Sequence, residues 1–143
     1  TRLNTPGIAL ATMPGVHALT DVTGFGLAGH ALELARGAGL TTTIEWPRVP
    51  LLEGVTEMVA DGFVTGASGR NWAGYGADVE LAGGLPATAQ ALLSDPQTSG
   101  GLLVSCAADS ADAVLQVFRR EGFADAAVVG RVEQGPARLR VLA

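Results

Sequence analysis

The chain has 143 residues, 48% of them apolar or aromatic, and carries nine basic against fourteen acidic side chains for a net charge of −5. That length suits one domain and that apolar content can build a core, which argues against two large independent domains and against intrinsic disorder. All nine basic residues are arginine, so lysine nucleophiles and a P-loop lysine are excluded, and the acidic balance, with only Arg119-Arg120 and the Arg138/Arg140 pair clustered, argues against a nucleic-acid partner.

In chain order, residues 4–13 predict a short helix closed by Pro14-Gly15, and residues 16–22 a strand. Residues 24–38 carry apolar side chains at Leu27, Ala28, Ala31, Leu32, Leu34 and Ala35, with His30, Glu33 and Arg36 on the opposite side. That is a helical period, stopped by Gly37 and Gly39. The β-branched run before Trp46-Pro47 predicts a strand over 40–46, with Trp46 packing inward. A helix over 51–61 follows, capped by Gly62. Residues 64–84, rich in Gly, Ser, Arg, Asn and Trp, read as a functional loop or a short connecting region.

Residues 86–94 return to helix, with Pro86 in its first turn. A polar turn over 95–101 leads into a strand over 102–106. Residues 109–121 give a helix with Ala111, Val114, Leu115 and Phe118 on one stripe and Gly122 as its stop. Residues 127–132 and 138–142 predict a terminal hairpin. This alternating order predicts an α/β (α+β) class: a mixed sheet covered by helices.

Cys106 is the lone cysteine, in an apolar strand, and reads as a core thiol. No apolar run is long enough to span a bilayer and no signal segment opens the chain, which predicts a soluble, cytoplasmic protein with no membrane contact. The start at Thr1 instead of methionine predicts a fragment or a processed product.

Three stretches could carry chemistry. Between the first long strand and its helix, Gly24-x-Gly26-x-x-Gly29 lies about the 20-residue distance from Glu45 that a dinucleotide fingerprint requires. Asp21 before those glycines would repel a bare pyrophosphate, and the repulsion disappears if Asp21 ligates Mg²⁺. The same residues then read as a metal-phosphate loop, with Thr20 and Thr23 as hydroxyl donors and the Gly24 and Gly26 backbone opening an anion-favouring helix terminus. A third reading makes Asp21-Val22-Thr23 a plain helix cap. Asp95-Pro96-Gln97-Thr98-Ser99-Gly100-Gly101 gathers donors in one turn, which suits an anion or an ordinary turn. Arg70-Asn71 lies near Trp72 and Tyr75 in a glycine-rich stretch, where Arg70 could pair with phosphate. His17 and His30 fit no metal-ligand spacing and read as a strand residue and a solvent-facing helix residue.

Taken together, Thr20-Asp21-Val22-Thr23-Gly24-Phe25-Gly26-Leu27-x-Gly29-His30, Arg70-Asn71 with Tyr75-Gly76, and Asp95 to Gly101 running into Leu102-Leu103 resemble selenophosphate synthetase, also called selenide, water dikinase. The order and spacing are similar to the C-terminal half of that enzyme, over nearly the whole chain. The resemblance implies conversion of ATP, selenide and water to selenophosphate, AMP and orthophosphate, for selenocysteine and selenouridine synthesis. It implies a three-layer α/β/α domain related to ferredoxin-like topology, of the PurM or AIR-synthetase C-terminal type. Aminoimidazole ribonucleotide synthetase, thiamine-phosphate kinase and a hydrogenase maturation factor share a looser version of the first motif.

By the same resemblance, residues 1–143 are a single C-terminal domain of a two-domain enzyme. The N-terminal domain, with its reactive cysteine or selenocysteine, lysine and most metal-binding aspartates, is absent, so this chain holds no catalytic residue and is expected to be inactive alone. Asp21 is similar to the family's C-terminal aspartate associated with Mg²⁺-ATP, with Thr20, Thr23, Gly24 and Gly26 as the loop around it. Arg70, Asn71, Asp95, Gln97, Thr98, Ser99, Gly100 and Gly101 match family motifs without assigned roles. The implied cofactor is Mg²⁺. The implied partners are ATP, selenide, the N-terminal domain against the face near residues 20–29, and a second copy in a full-length homodimer.

Overall fold

The computed structural model describes residues 3–143. Six α-helices and six strands occur among them: α1 (Pro6–Leu10), β1 (Val16–Asp21), α2 (Gly26–Ala38), β2 (Thr41–Glu45), α3 (Val55–Ala60), α4 (Gly66–Tyr75), β3 (Val79–Leu81), α5 (Ala89–Ser94), β4 (Leu102–Cys106), α6 (Ala111–Arg120), β5 (Gly130–Glu133) and β6 (Arg138–Leu142). The strands form two sheets. β1 and β4 pair antiparallel, and the other sheet runs β3-β6-β2-β5. In the latter β3 and β2 lie parallel to β6, while β5 lies antiparallel to β2. The expected mixed α/β class is borne out, with both strand directions and helices against the sheets.

α2 organises the core. Its Ala28, Ala31, Leu32 and Ala35 are fully buried and pack with Ile44, Leu93, Leu139 and Val141. Alanines let the helix lie close to the four-stranded sheet; truncating a buried leucine such as Leu32 to alanine costs about 2–5 kcal/mol. The helix stops where Gly39 adopts φ +67 and its N–H turns back to the carbonyls of Ala35 and Arg36. A second core joins α1 and α6 to the two-stranded sheet through Leu10, Val114 and Val117, with Leu19, Leu102 and Val104 packed against them. Strand alternation puts Leu103 into the α2 core instead. β1 and β4 are thus covered on both faces, and the end of β1 is held rigidly where the first motif begins.

Several local expectations change. Residues 127–132 and 138–142 do not form a hairpin: β5 and β6 flank β2 on opposite sides, and the Thr41 hydroxyl donates to the Pro136 carbonyl in the connection between them. The stretch 64–84 is not an irregular loop, since it holds α4, a 3₁₀ turn and β3. The helices expected over 4–13, 51–61 and 86–94 shrink to α1, α3 and α5, which leaves Pro86 outside the helix. His30 is not solvent-facing: it is 6% exposed, because α2 is enclosed around most of its circumference. Trp46 packs against the α2 core as expected, and Cys106 is half-buried against the second core. Burial, followed by the nearby Asp109 charge, pushes its thiol pKa up, which keeps the sulfur protonated and poorly nucleophilic at neutral pH.

Candidate functional site

The three sequence motifs, 20 to 80 residues apart, meet at one point. β1 ends at Asp21, whose strand partner is Leu102 directly after the Asp95–Gly101 turn. Beyond the strand the pairing continues: the Val22 N–H donates to the Gly101 carbonyl at 2.8 Å, and the Gln97 N–H donates to the Thr23 carbonyl at 3.0 Å. Gly100 sits so close to the Val22 carbonyl that any side chain at this position would collide with it. The turn is therefore built against the loop, and glycine is required by contact.

Gly26 opens α2 with φ +69, and a Cβ there would lie 2.7 Å from the Leu93 carbonyl oxygen. Only glycine combines that left-handed conformation with so close an approach to the end of α5. α4 supplies the third side. Its Asn71 amide donates to the Gly24 carbonyl at 2.8 Å and to the Ser94 carbonyl at 3.0 Å. One side chain thus ties the first motif to the residue preceding the third. Tyr75 donates its hydroxyl to the Phe25 carbonyl at 2.7 Å, and burial pushes its pKa up to about 12, so it remains a donor throughout the physiological range.

α4 is anchored by Thr65, which caps it by accepting from the Ser68 N–H and donates its own hydroxyl to Asp95. Ser68 and Ser94 share a buried hydroxyl contact at 2.6 Å. The Asp95 carboxylate is therefore engaged, receiving Thr65 and, at 3.5 Å, the Gln97 amide. Thr98 and Ser99 are exposed.

Asp21 differs from these structural groups. It is exposed, and its carboxylate has no hydrogen-bond or ion-pair partner among the described residues. The cap reading of Asp21-Val22-Thr23 fails, because Phe25 occupies the N-cap of α2 and no side chain caps that terminus. Thr23 instead contacts His30 Nε2 at 3.2 Å through its hydroxyl, and His30 Nδ1 lies 2.9 Å from Glu33. This bridge ties His30 to the loop that follows β1, a contact the sequence reading missed. Thr20 directs its hydroxyl to the Asp21 carbonyl.

The dinucleotide reading fails as well. That fingerprint needs β1 and β2 parallel in one sheet around α2, whereas they lie in separate sheets. Gly26 is used for packing. Beside the junction, a cleft of about 280 Å³ between α2 and α4 is lined by Phe25, Leu32, Glu33, Arg36, Arg70 and Tyr75 among others. Arg36 is paired with Asp78. The exposed Arg70 guanidinium has no partner among the described residues.

For a metal, the described residues hold no group of three or more His, Cys, Asp or Glu side chains. Asp21 alone fits as one hard oxygen ligand of the kind Mg²⁺ takes, leaving most of an octahedral shell to other donors.

The family model for AIR synthase related protein, C-terminal domain, matches residues 5–141. The chain belongs to this family. The motif-based resemblance agrees with a selenide, water dikinase of Burkholderia pseudomallei (strain K96243), 64% identical over 141 residues, covering 99% of this chain and 40% of that protein. One from Pseudomonas straminea is 60% identical over the same shares. The chain thus spans about two fifths of the length of these relatives. Among solved structures, the hydrogenase maturation protein HypE of E. coli shares the fold, with a TM-score of 0.68 at 19% identity over 96% of this chain and 35% of that one. Among the described residues, no helix is long and apolar enough to cross a membrane.

Proposed function

We propose that this chain is the C-terminal domain of an ATP-dependent selenophosphate synthetase, and that it presents Asp21 to Mg²⁺-ATP across a domain boundary. The reading rests on one observation above all: Asp21 is exposed and unpartnered at the edge of a junction that is held together by internal hydrogen bonds. A free carboxylate on a rigid mount costs little to recruit as a ligand, because neither the loop nor the side chain must break existing bonds. The relatives' printed activity, selenide, water dikinase, supports ATP and selenide as the substrates of the whole protein.

In this reading Mg²⁺, when bound, would supply charge neutralisation for cleavage of the ATP phosphoryl bonds. Asp21 supplies one of its oxygens, and the remaining protein ligands, the nucleophile-bearing residue and the lysine come from an accompanying N-terminal domain. The chain's own contribution is positional. Val22, Thr23 and Gln97 lock the strand end by backbone hydrogen bonds, Asn71 holds the Gly24 carbonyl, and His30 holds the Thr23 hydroxyl, so that Asp21 is presented from a fixed strand terminus.

The test is a chimera in which this chain replaces the matching two fifths of the Burkholderia pseudomallei relative. AMP formation with selenide and Mg²⁺ should be retained by the chimera and absent from the isolated chain. A folded chimera without turnover would remove the assignment, and full turnover by the isolated chain would remove the division of labour.

A further inference from the structure

The described residues expose ten large apolar side chains, and five of them fall within fourteen consecutive positions: Leu51, Leu52, Met58, Phe63 and Val64. Residues 20–29, the face expected to meet another domain, contribute only Phe25. The exposed apolar surface is therefore concentrated beside the motif junction and not on the loop itself.

The helix within this stretch is anomalous. α3 has six residues, none of them buried and no side-chain cap. Helices this short are not self-sustaining in water, and most draw their stability from packing an apolar face. Here Val55 and Val59 are only half-buried, and Met58 points its apolar side chain outward at 55% exposure. The segment also borders a groove of about 150 Å³ lined by Leu27, Trp46, Leu52, Val55, Asp95 and Gln97 among others. Asp95 and Gln97 belong to the third motif, so the groove runs directly into the Asp21 junction. Between 51 and 64 the chain carries Glu53, Glu57 and Asp61 and no arginine. An apolar strip with an acidic rim is complementary to an apolar surface with a basic rim.

We infer that residues 51–64 and the groove beside them are the docking surface for the accompanying domain, which meets them with an apolar patch bordered by Lys or Arg. This rests on the proposed function only in taking the chain to work within a polypeptide of its relatives' length, about two and a half times its own, since it covers 40% of them. The occupant is the same domain that must complete the shell around Asp21. The groove reaches Asp95 and Gln97 of the turn that leads into Leu102, the strand partner of Asp21. α3 is then the element that closes against the partner, and Thr65, which binds Asp95, links its far end to the junction.

Hydrogen exchange compares the isolated chain with the chimera described above, and turnover is read separately. Amides over 55–64 should exchange at least tenfold more slowly in the chimera, while those of β2 and α2 stay the same. Phe63→Asp with Met58→Asp should leave the melting temperature of the isolated chain unchanged and lower that of the chimera by several degrees. Equal exchange over 55–64 in both contexts would overturn the inference. So would concentration-dependent dimers of the isolated chain that Phe63→Asp abolishes, because the occupant would then be a second copy. Loss of turnover in the chimera with protection intact would instead count against the ATP assignment alone.

Discussion

Asn71→Ala isolates the tie that brings the motifs together. The side chain makes two hydrogen bonds, at 2.8 Å to the Gly24 carbonyl and 3.0 Å to the Ser94 carbonyl. The Gly24 end is exposed, so water replaces that bond and its loss costs about 0.5 kcal/mol. The Ser94 carbonyl is partly shielded, and leaving it short of a donor costs about 1.5 kcal/mol. The sum, about 2 kcal/mol, corresponds to a fall in Tm of roughly 6–8 °C for a domain of this size. Asn71→Asp should be worse at neutral pH, since a carboxylate faces two carbonyl oxygens with no proton to donate, and should recover in part on acidification. The neighbouring Arg70→Ala, which removes no internal partner, should change stability by under about 0.5 kcal/mol. Thermal and urea unfolding of the three variants decide the matter. An Asn71→Ala protein that melts within a degree of the parent, or an Asn71→Asp protein no worse than Asn71→Ala, would refute the role given to this side chain.

Two further outcomes follow from the same geometry. Gly26→Ala should cost about 3 kcal/mol or more, from its positive φ and the collision with the Leu93 carbonyl, whereas Gly24→Ala, which meets nothing within 4 Å, should be nearly neutral in a urea titration. Hydrogen bonds from Thr43 first and Arg131 second hold the Glu133 carboxyl below the usual carboxylate range. Its stabilisation is therefore complete above about pH 4.3 and is lost as pH falls through the lowered folded value. Thr43→Val should melt lower than the parent at pH 7, and the two curves should converge toward pH 3; parallel curves would contradict this.

The elements with strong local periodicity were legible: β1, α2, β2, β4 and α6 lie within one or two residues of expectation. α4 was not, because Gly66, Gly69 and Gly74 weaken its propensity and its stability comes from distant partners, chiefly the Ser68–Ser94 contact and Asn71. Its one local signal was the Thr65 cap three residues before Ser68. β5 and β6 carried strand patterns but no information about which strand each would join, and β2 took both. His30 was misread because a helix wheel assumes one buried side, whereas α2 is enclosed by two sheets and by α4 and α5. The convergence of the motifs was not legible, since no spacing rule connects residues 21, 71 and 97.

The claim that Asp21 serves Mg²⁺-ATP is tested most directly by Asp21→Asn in the chimeric full-length enzyme. Because the carboxylate is exposed and unpartnered, the substitution should leave Tm within about a degree. AMP formation should nevertheless fall by on the order of a hundredfold or more, as when an electrostatic group at a transferring phosphoryl is removed, and raised Mg²⁺ should restore part of it. A correctly folded Asp21→Asn enzyme with near-normal turnover and an unchanged Mg²⁺ dependence would contradict the account.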